Sequence, residues 1–235
     1  MTATHPVPLA ATQERIADLW PESVARFESV GRAVEVPAEF AERVSHNGKT
    51  RLEACEYTLG EVGTARMVRI LGTASEIVNT MIFPEHPDRM PLFAAELLVF
   101  GGVPRLAFVD LQTPGLAPDR LETIRSATTE LAARYPLPAD AGPPEWATHY
   151  STGGYCYGRP GSRSYIPTLK KAYADYLKLW LTTQDGCQKH ANESAREELL
   201  KYKRHHVSNS PGCEFMGKLF GDEWAARFLE DWLYR

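Results

Sequence analysis

Residues 75–111, SEIVNTMIFPEHPDRMPLFAAELLVFGGVPRLAFVDL, hold three β-rich apolar runs, 77–83, 92–100 and 104–111, each bounded by Pro or Gly. Bounded runs of this composition read as strands. Gly101-Gly102, between the second and third runs, is a two-residue hairpin signal, because both central positions of such a turn favour positive φ. Closing the hairpin there pairs Phe100 with Val103, Leu98 with Arg105 and Glu96 with Ala107. Side chains alternate faces along a strand. Leu92, Ala94, Glu96 and Leu98 then share a face with Arg105, Ala107 and Val109, while Phe93, Ala95, Leu97 and Val99 cover the other. Both faces are apolar and both need a cover, which predicts a sandwiched sheet.

Glu96 is the exception on its face. A carboxylate among apolar neighbours is costly unless it is paired or takes up a proton. Two readings stand at this point. One is a structural ion pair with Arg105, its diagonal neighbour in this register. The other is a carboxylic acid of raised pKa inside a ligand cavity, able to donate a proton.

Working outward, residues 52–59 and 64–71 are further strands joined through Gly60 and Gly63. The connections among all five strands are too short for helical crossovers, so the sheet is expected to be antiparallel and largely sequential. Residues 11–30 read as a helix with Leu19, Val24 and Phe27 inward and Pro21 marking a kink or restart, and 37–45 as a shorter helix stopped at Asn47-Gly48. Residues 119–134 are helical, with Leu121, Ile124, Leu131 and Ala132 on one side. Residues 136–144 form a Pro-rich loop, and 149–157, HYSTGGYCY, a further strand. Residues 166–183 make an amphipathic helix with Ile166, Leu169, Tyr173, Tyr176, Leu177 and Trp180 on one stripe. Asn192 caps a helix over 193–206, and 213–220 and 222–234 are two short helices around Gly221. The predicted architecture is a three-layer α/β/α sandwich with a central antiparallel sheet. No linker-like break in composition interrupts it, so one domain spans 1–235.

The 235 residues, 43% hydrophobic and 10% aromatic, are enough for a sizeable core and exclude a disordered or fibrous chain. No apolar run reaches membrane-spanning length, and the first 20 residues lack the basic-then-apolar order of a signal peptide. Cys55, Cys156, Cys187 and Cys213 show no ligand spacing, so neither a metal nor an internal iron–sulfur cluster is expected, and a reducing, cytoplasmic location is. The net charge of −4 is uneven: residues 159–218 hold 11 Lys/Arg against six acids, a segment of +5 in a remainder of −9. A basic face of this kind draws an acidic partner.

Asn79 to Pro84, then Met90-Pro91-Leu92-Phe93, Ala95-Glu96-Leu97 and Ala107-Phe108-Val109-Asp110-Leu111, resemble the core signature of the ferredoxin-dependent bilin reductases. Asn209, followed by Phe220-Gly221-Asp222-Glu223-Trp224-Ala225-Ala226-Arg227-Phe228, is similar to that family's C-terminal block, and Tyr155 to Pro160 to its strand ending in Arg-Pro. The resemblance implies a linear tetrapyrrole held between sheet and C-terminal helices, and no bound metal or organic cofactor. It implies reduction of biliverdin IXα to a phytobilin by single electrons from reduced [2Fe-2S] ferredoxin, through bilin radicals. Glu96 stands where the family has its central catalytic Asp, which favours the proton-donor reading.

Some positions depart from the pattern. A chlorophyll-catabolite reductase group also has Glu at the Glu96 position, which keeps a chlorophyll-derived tetrapyrrole open as a substrate. Asn79 stands where phycocyanobilin-forming members have His, Met67 where they have a second Glu, and Ser210 where many have a second Asp. These changes also keep a non-catalytic tetrapyrrole-binding protein open. With those groups absent, His206, one turn before Asn209 and Ser210, is the remaining candidate proton shuttle. Arg105 and Arg159 are candidates for the bilin propionates, since guanidinium binds carboxylate bidentately. Lys170, Lys171, Lys201, Lys203 and Arg204 are candidates for docking an acidic ferredoxin. No nucleic-acid motif accompanies the charge.

Overall fold

The hairpin forms at Gly101 and Gly102, whose φ values of 61° and 73° are those the tight turn requires. In this computed structural model, which describes residues 14–139, 142–183 and 192–235, strands β6 (Leu92–Phe100) and β7 (Val103–Gln112) flank that turn. Phe100 pairs with Val103 as expected. Beyond it the register slips: Val99 faces Pro104 but Leu98 faces Leu106 and Glu96 faces Phe108. Arg105 is the extra residue of a β-bulge. Pro104 has no N–H to give the ladder, so the hydrogen-bonding pattern is weakest there and an extra residue is accommodated next to it. The expected pairs Leu98–Arg105 and Glu96–Ala107 are therefore corrected. Every residue of β7 beyond the bulge lies on the face opposite to the one expected.

Six further strands complete an eight-stranded antiparallel sheet: β1 (Arg32–Val34), β2 (Glu42–Val44), β3 (Thr50–Thr58), β4 (Gly63–Gly72), β5 (Ser75–Pro84) and β8 (Cys156–Gly158). The order is β1-β3-β4-β5-β6-β7-β8, with β2 also pairing β3. From β3 to β7 each strand lies beside its predecessor in the chain, as short connections dictate.

Each sheet face is buried by its own helical layer. On one side lie α1 (Leu19–Val30), α3 (Pro118–Arg134) and α5 (Ile166–Thr182). Phe27, Ile124, Leu169, Tyr173 and Trp180 from these helices pack on Met67, Val78, Phe93, Leu97 and Val109. The whole expected stripe of α5 is buried. On the other side lie α2 (Ala38–Ala41), α6 (Glu193–Asn209), α7 (Gly212–Phe220), α8 (Asp222–Arg227) and a π-helical turn, Phe228–Leu233. Phe40, Tyr202, Phe220, Phe228 and Trp232 pack there on Leu52, Val68, Met81 and Leu92. The result is the α/β/α sandwich, the sheet separating two apolar cores. No helix among the described residues is long and apolar enough to cross a membrane.

Three expected elements differ. Residues 37–45 split into α2 and the short strand β2. In the N-terminal region, α1 starts at Leu19 after a 3-10 turn, Ile16–Asp18. Pro21 sits in its first turn, where no intrahelical N–H bond is lost and no kink is needed. Residues 11–13 of that expected helix, and Cys187 and Lys189, lie outside the described residues. Third, only Cys156–Gly158 of the expected strand over 149–157 pairs with the sheet, after α4 (Glu145–Thr148). Gly153 turns the chain at φ 90°, and Gly154 lies so close to Thr128 that a Cβ would sit 2.3 Å from its Oγ1. The segment is pressed against α3 instead of extending the ladder.

A buried polar contact crosses one core: the Tyr173 hydroxyl lies 3.0 Å from Ser23 Oγ and 2.9 Å from Thr80 Oγ1. Tyr173→Phe deprives both of that partner and is expected to cost about 1–3 kcal/mol, read as a lower urea midpoint; an unchanged midpoint would mean that those hydroxyls find other partners.

Candidate active site

Val68, Asn79, Glu96 and Phe108 are consecutive register partners across β4, β5, β6 and β7. Their side chains form one row on the sheet face that looks toward α6, α7 and the C-terminal turn. Above this row the second core is incompletely filled, leaving a cavity of about 370 Å³, within the roughly 300–1,000 Å³ typical of small-molecule sites. Its roof includes Trp146, Tyr202, His206, Met216, Leu229 and Tyr234. The C-terminal turn is held by Arg66, whose buried guanidinium bonds Glu56 at 2.9 Å and the carbonyls of Leu233 and Arg235. That clamp brings Tyr234 over the cavity.

Glu96 is the only carboxyl lining the hollow among the described residues. Burial raises its pKa, and no cation opposes the rise. The ion pair with Arg105 does not form: the bulge turns Arg105 outward, where it is exposed. Of the two readings of Glu96, the acid in a cavity fits the geometry. Burial also shifts the neighbouring polar groups toward their neutral forms. Tyr234 is raised by burial and then by Glu96, and Tyr202 is raised well above the usual phenol value. His206 is lowered to about 3 by burial, with His205 adding to it. Its ring centroid lies 4.2 Å from that of Tyr202, and the ring stacks on Tyr234 at 5.8 Å. Its Nε2 has no partner, and neither does Asn79 Oδ1 across from Glu96.

Of the residues expected at a site, Glu96, Asn79, His206, Ser210 and Arg159 line this cavity. Ser210 Oγ accepts from the Gly212 amide at 3.2 Å. Arg105 and Arg159 both border a second, more open cleft beside the cavity, which shares Leu98, Leu106 and Arg159 with it. Met67 and Asn209 are corrected. Met67 is fully buried in the other core, under α5, because it sits one residue out of phase with Val68, which does line the hollow. Asn209 is exposed and donates Nδ2 to the His205 carbonyl at 2.7 Å, satisfying the end of its own helix. The five basic residues do not form one patch. Lys170 and Lys171 are on α5, on the far side of the sheet, where Lys170 pairs with Glu22 and Asp18 and Lys171 with Asp175. Lys201, Lys203 and Arg204 are on α6, with Lys203 over the Phe83 ring.

Tyr202, Tyr234, Trp146 and the carboxyl of Asp110 were not singled out from sequence. Asp110 pairs with Ala94 across the ladder, which places it on the Glu96 face once the bulge is known. Its position among apolar residues of a strand was the available signal. Among the described residues no group of His, Cys, Asp or Glu could hold a metal ion.

The family model described as ferredoxin-dependent bilin reductase matches residues 22–235. Named relatives include a 15,16-dihydrobiliverdin:ferredoxin oxidoreductase of Nostoc punctiforme, 25% identical over 91% of this chain and 90% of its own length. Another of the same name, from Parasynechococcus marenigrum, is 24% identical over 87% and 90%. A phycoerythrobilin:ferredoxin oxidoreductase of Prochlorococcus marinus is 23% identical over 69% and 67%. Among solved structures, phytochromobilin synthase from tomato in complex with biliverdin superposes with a TM-score of 0.79 at 16% identity, covering 92% of this chain and 82% of that one.

The neutral state of His206 has a stability consequence. Its folded pKa lies below the unfolded value of about 6.5, so its contribution is present above pH 6.5 and is lost as pH falls toward 3. His206→Phe, which keeps a ring in the stack, is expected to lose less stability than the parent chain between pH 7 and about 4.5. Denaturant midpoints at the two pH values measure it, and equal losses would place a charged imidazole in the folded state.

Proposed function

The chain belongs to the ferredoxin-dependent bilin reductase family, and on that premise we propose that it reduces biliverdin IXα to a phytobilin with Glu96 as a proton donor. The observation that carries this reading is Glu96, the one carboxyl lining the mostly apolar hollow among the described residues, buried and without an ion pair. A neutral bilin accepts an electron poorly, and protonating it first lowers that barrier. An acid held in a low-dielectric cavity keeps its proton nearer neutral pH than one in water. Reduced ferredoxin delivers one electron at a time, so a bilin radical lies between the first and second transfers. The balance for one double bond is two electrons and two protons added to the bilin. Relatives named for a dihydrobiliverdin support this two-electron stoichiometry.

Arg159 and Arg105, at the cleft beside the hollow, suit the bilin propionates as bidentate partners. For the electron donor, Lys201, Lys203 and Arg204 suit an acidic ferredoxin better than Lys170 and Lys171. Their helix, α6, also supplies Tyr202 and His206 to the cavity, so a donor seated there is close to the pigment.

With biliverdin and a ferredoxin-reducing system, the protein is expected to consume the pigment. Glu96→Gln should bind biliverdin with a similar spectral shift and lose about 10²–10⁴-fold in turnover. Wild-type protein that leaves biliverdin unchanged defeats the reading. Binding without turnover would instead favour a tetrapyrrole carrier, which Asn79 and Ser210, both non-ionisable, also suit. A second expected outcome concerns orientation: Arg159→Ala should weaken biliverdin binding by about tenfold, for about 1.4 kcal/mol lost with one charged contact, with the dimethyl ester of the pigment binding both forms alike.

A further inference from the structure

Two protons are needed for each double bond reduced, and among the described residues the hollow is lined by one carboxyl. Asn79 and Ser210 cannot supply the second, and His206 is buried, without a partner at Nε2, and neutral. We propose that Asp110 holds the second proton and passes it to the bilin through the hydroxyl of Tyr202. This rests on the bilin-reductase reading above and names a further proton source within it.

The geometry is as follows. Asp110 lies on the Glu96 face of the sheet, one pair along the β6–β7 ladder, as the diagonal neighbour of Glu96, about 7–8 Å away in such a sheet. Its exposure is 0%, and neither carboxyl oxygen has a hydrogen-bond partner of acceptable geometry. Buried carboxyls without partners are rare, and each needs a reason. Tyr202, from α6, is also fully buried, lines the hollow and has an unpartnered hydroxyl. It feels the charge of Asp110. No direct hydrogen bond joins the two oxygen groups, so the relay from the sealed carboxyl to the hydroxyl that faces the cavity runs through one bridging water.

The groups around Asp110 are Ser151 from the segment after α4, the Leu111 amide and the Gln112 side chain. These favour the anion, but burial wins and pushes the carboxyl up to about 7. No Lys, Arg or His figures among the groups that act on it. Tyr176 of α5, Tyr202 of α6 and Glu96 of β6 are the titratable neighbours. Gln112 Nε2 gives one of its two protons to the Ala147 carbonyl at 2.9 Å.

The step balances without an ionised phenol. The O–H bond of Tyr202 breaks as a C–H bond forms on the bilin that has received its second electron from ferredoxin. In the same event the Asp110 O–H bond breaks, the bridging water takes that proton and gives up one of its own, and the Tyr202 O–H bond is remade. Asp110 is left as carboxylate and regains a proton from water between turnovers.

The test follows bound biliverdin through stopped-flow reduction by ferredoxin in wild type, Asp110→Asn and Tyr202→Phe. Both variants should bind the pigment and accept the first electron normally. They should then accumulate the one-electron-reduced bilin and turn over about 10²-fold more slowly. The fall of wild-type activity as pH rises through about 7 should disappear in Asp110→Asn, which a purely structural role would not produce. An infrared band of protonated carboxyl that titrates in that range in wild type and is absent from Asp110→Asn supplies a readout independent of turnover. Should Asp110→Asn fail to fold, Tyr202→Phe decides alone. Variants that match wild type in rate and pH profile overturn this proposal and leave the bilin-reductase reading intact; wild-type protein inert toward biliverdin overturns both.

Discussion

A carboxyl group that has lost its water and gained no cation organises the functional half of this molecule. Glu96 sits in the middle of a sheet whose two faces are mostly apolar, and the helical cover over its face stops short of filling the space above it. The fold tolerates the cost because the opposite core is densely filled by α1, α3 and α5, and because the C-terminal cover is pinned from outside the hollow. The Arg66–Glu56 pair, 2.9 Å apart and almost wholly buried, grips the last turn through the carbonyls of Leu233 and Arg235. A buried pair of this kind adds little net stability, but it fixes where the turn lies, and with it the Tyr234 ring.

The titratable groups around the cavity respond alike to this environment. Glu96 and Asp110 are raised, Tyr202 and Tyr234 are raised, and His206 is lowered, with burial the largest cause in every case. All of these shifts favour the uncharged form. Such a chamber suits a large conjugated pigment, which is itself mostly apolar. Charge is confined to the periphery: Arg105 and Arg159 at one opening, and the basic side chains of α6 outside the roof.

The long strands and α5 were legible because their periodicities are uninterrupted: period two through 92–100, and a 3.6-residue stripe from Ile166 to Trp180. Glu96 was legible because a charge stands out against Leu, Ala and Phe. What sequence did not give was phase. The bulge at Arg105 reverses the facing of the rest of β7, which hid Asp110 on the Glu96 side and suggested an ion pair that does not exist. Met67 was named from the family resemblance alone, and its side chain lies one residue out of phase with Val68, in the other core. Residues 149–157 alternate like a strand, yet Gly153 and Gly154 let the chain fold against Thr128. Residues 37–45 are too short for periodicity to separate one helix from a turn of helix and a strand. Tyr202 and Tyr234 look like ordinary core aromatics in sequence, because their hydroxyls matter only once the unfilled space is visible.

The sheet works as a bulkhead between two compartments with different duties. Apart from Ala95, the residues packed under α5 do not line the chamber, so that compartment can be repacked for heat resistance with little effect on a bound pigment. A substitution in the opposite compartment alters durability and optical properties together. Homologues working at different temperatures should therefore concentrate their hydrophobic differences on the α5 side.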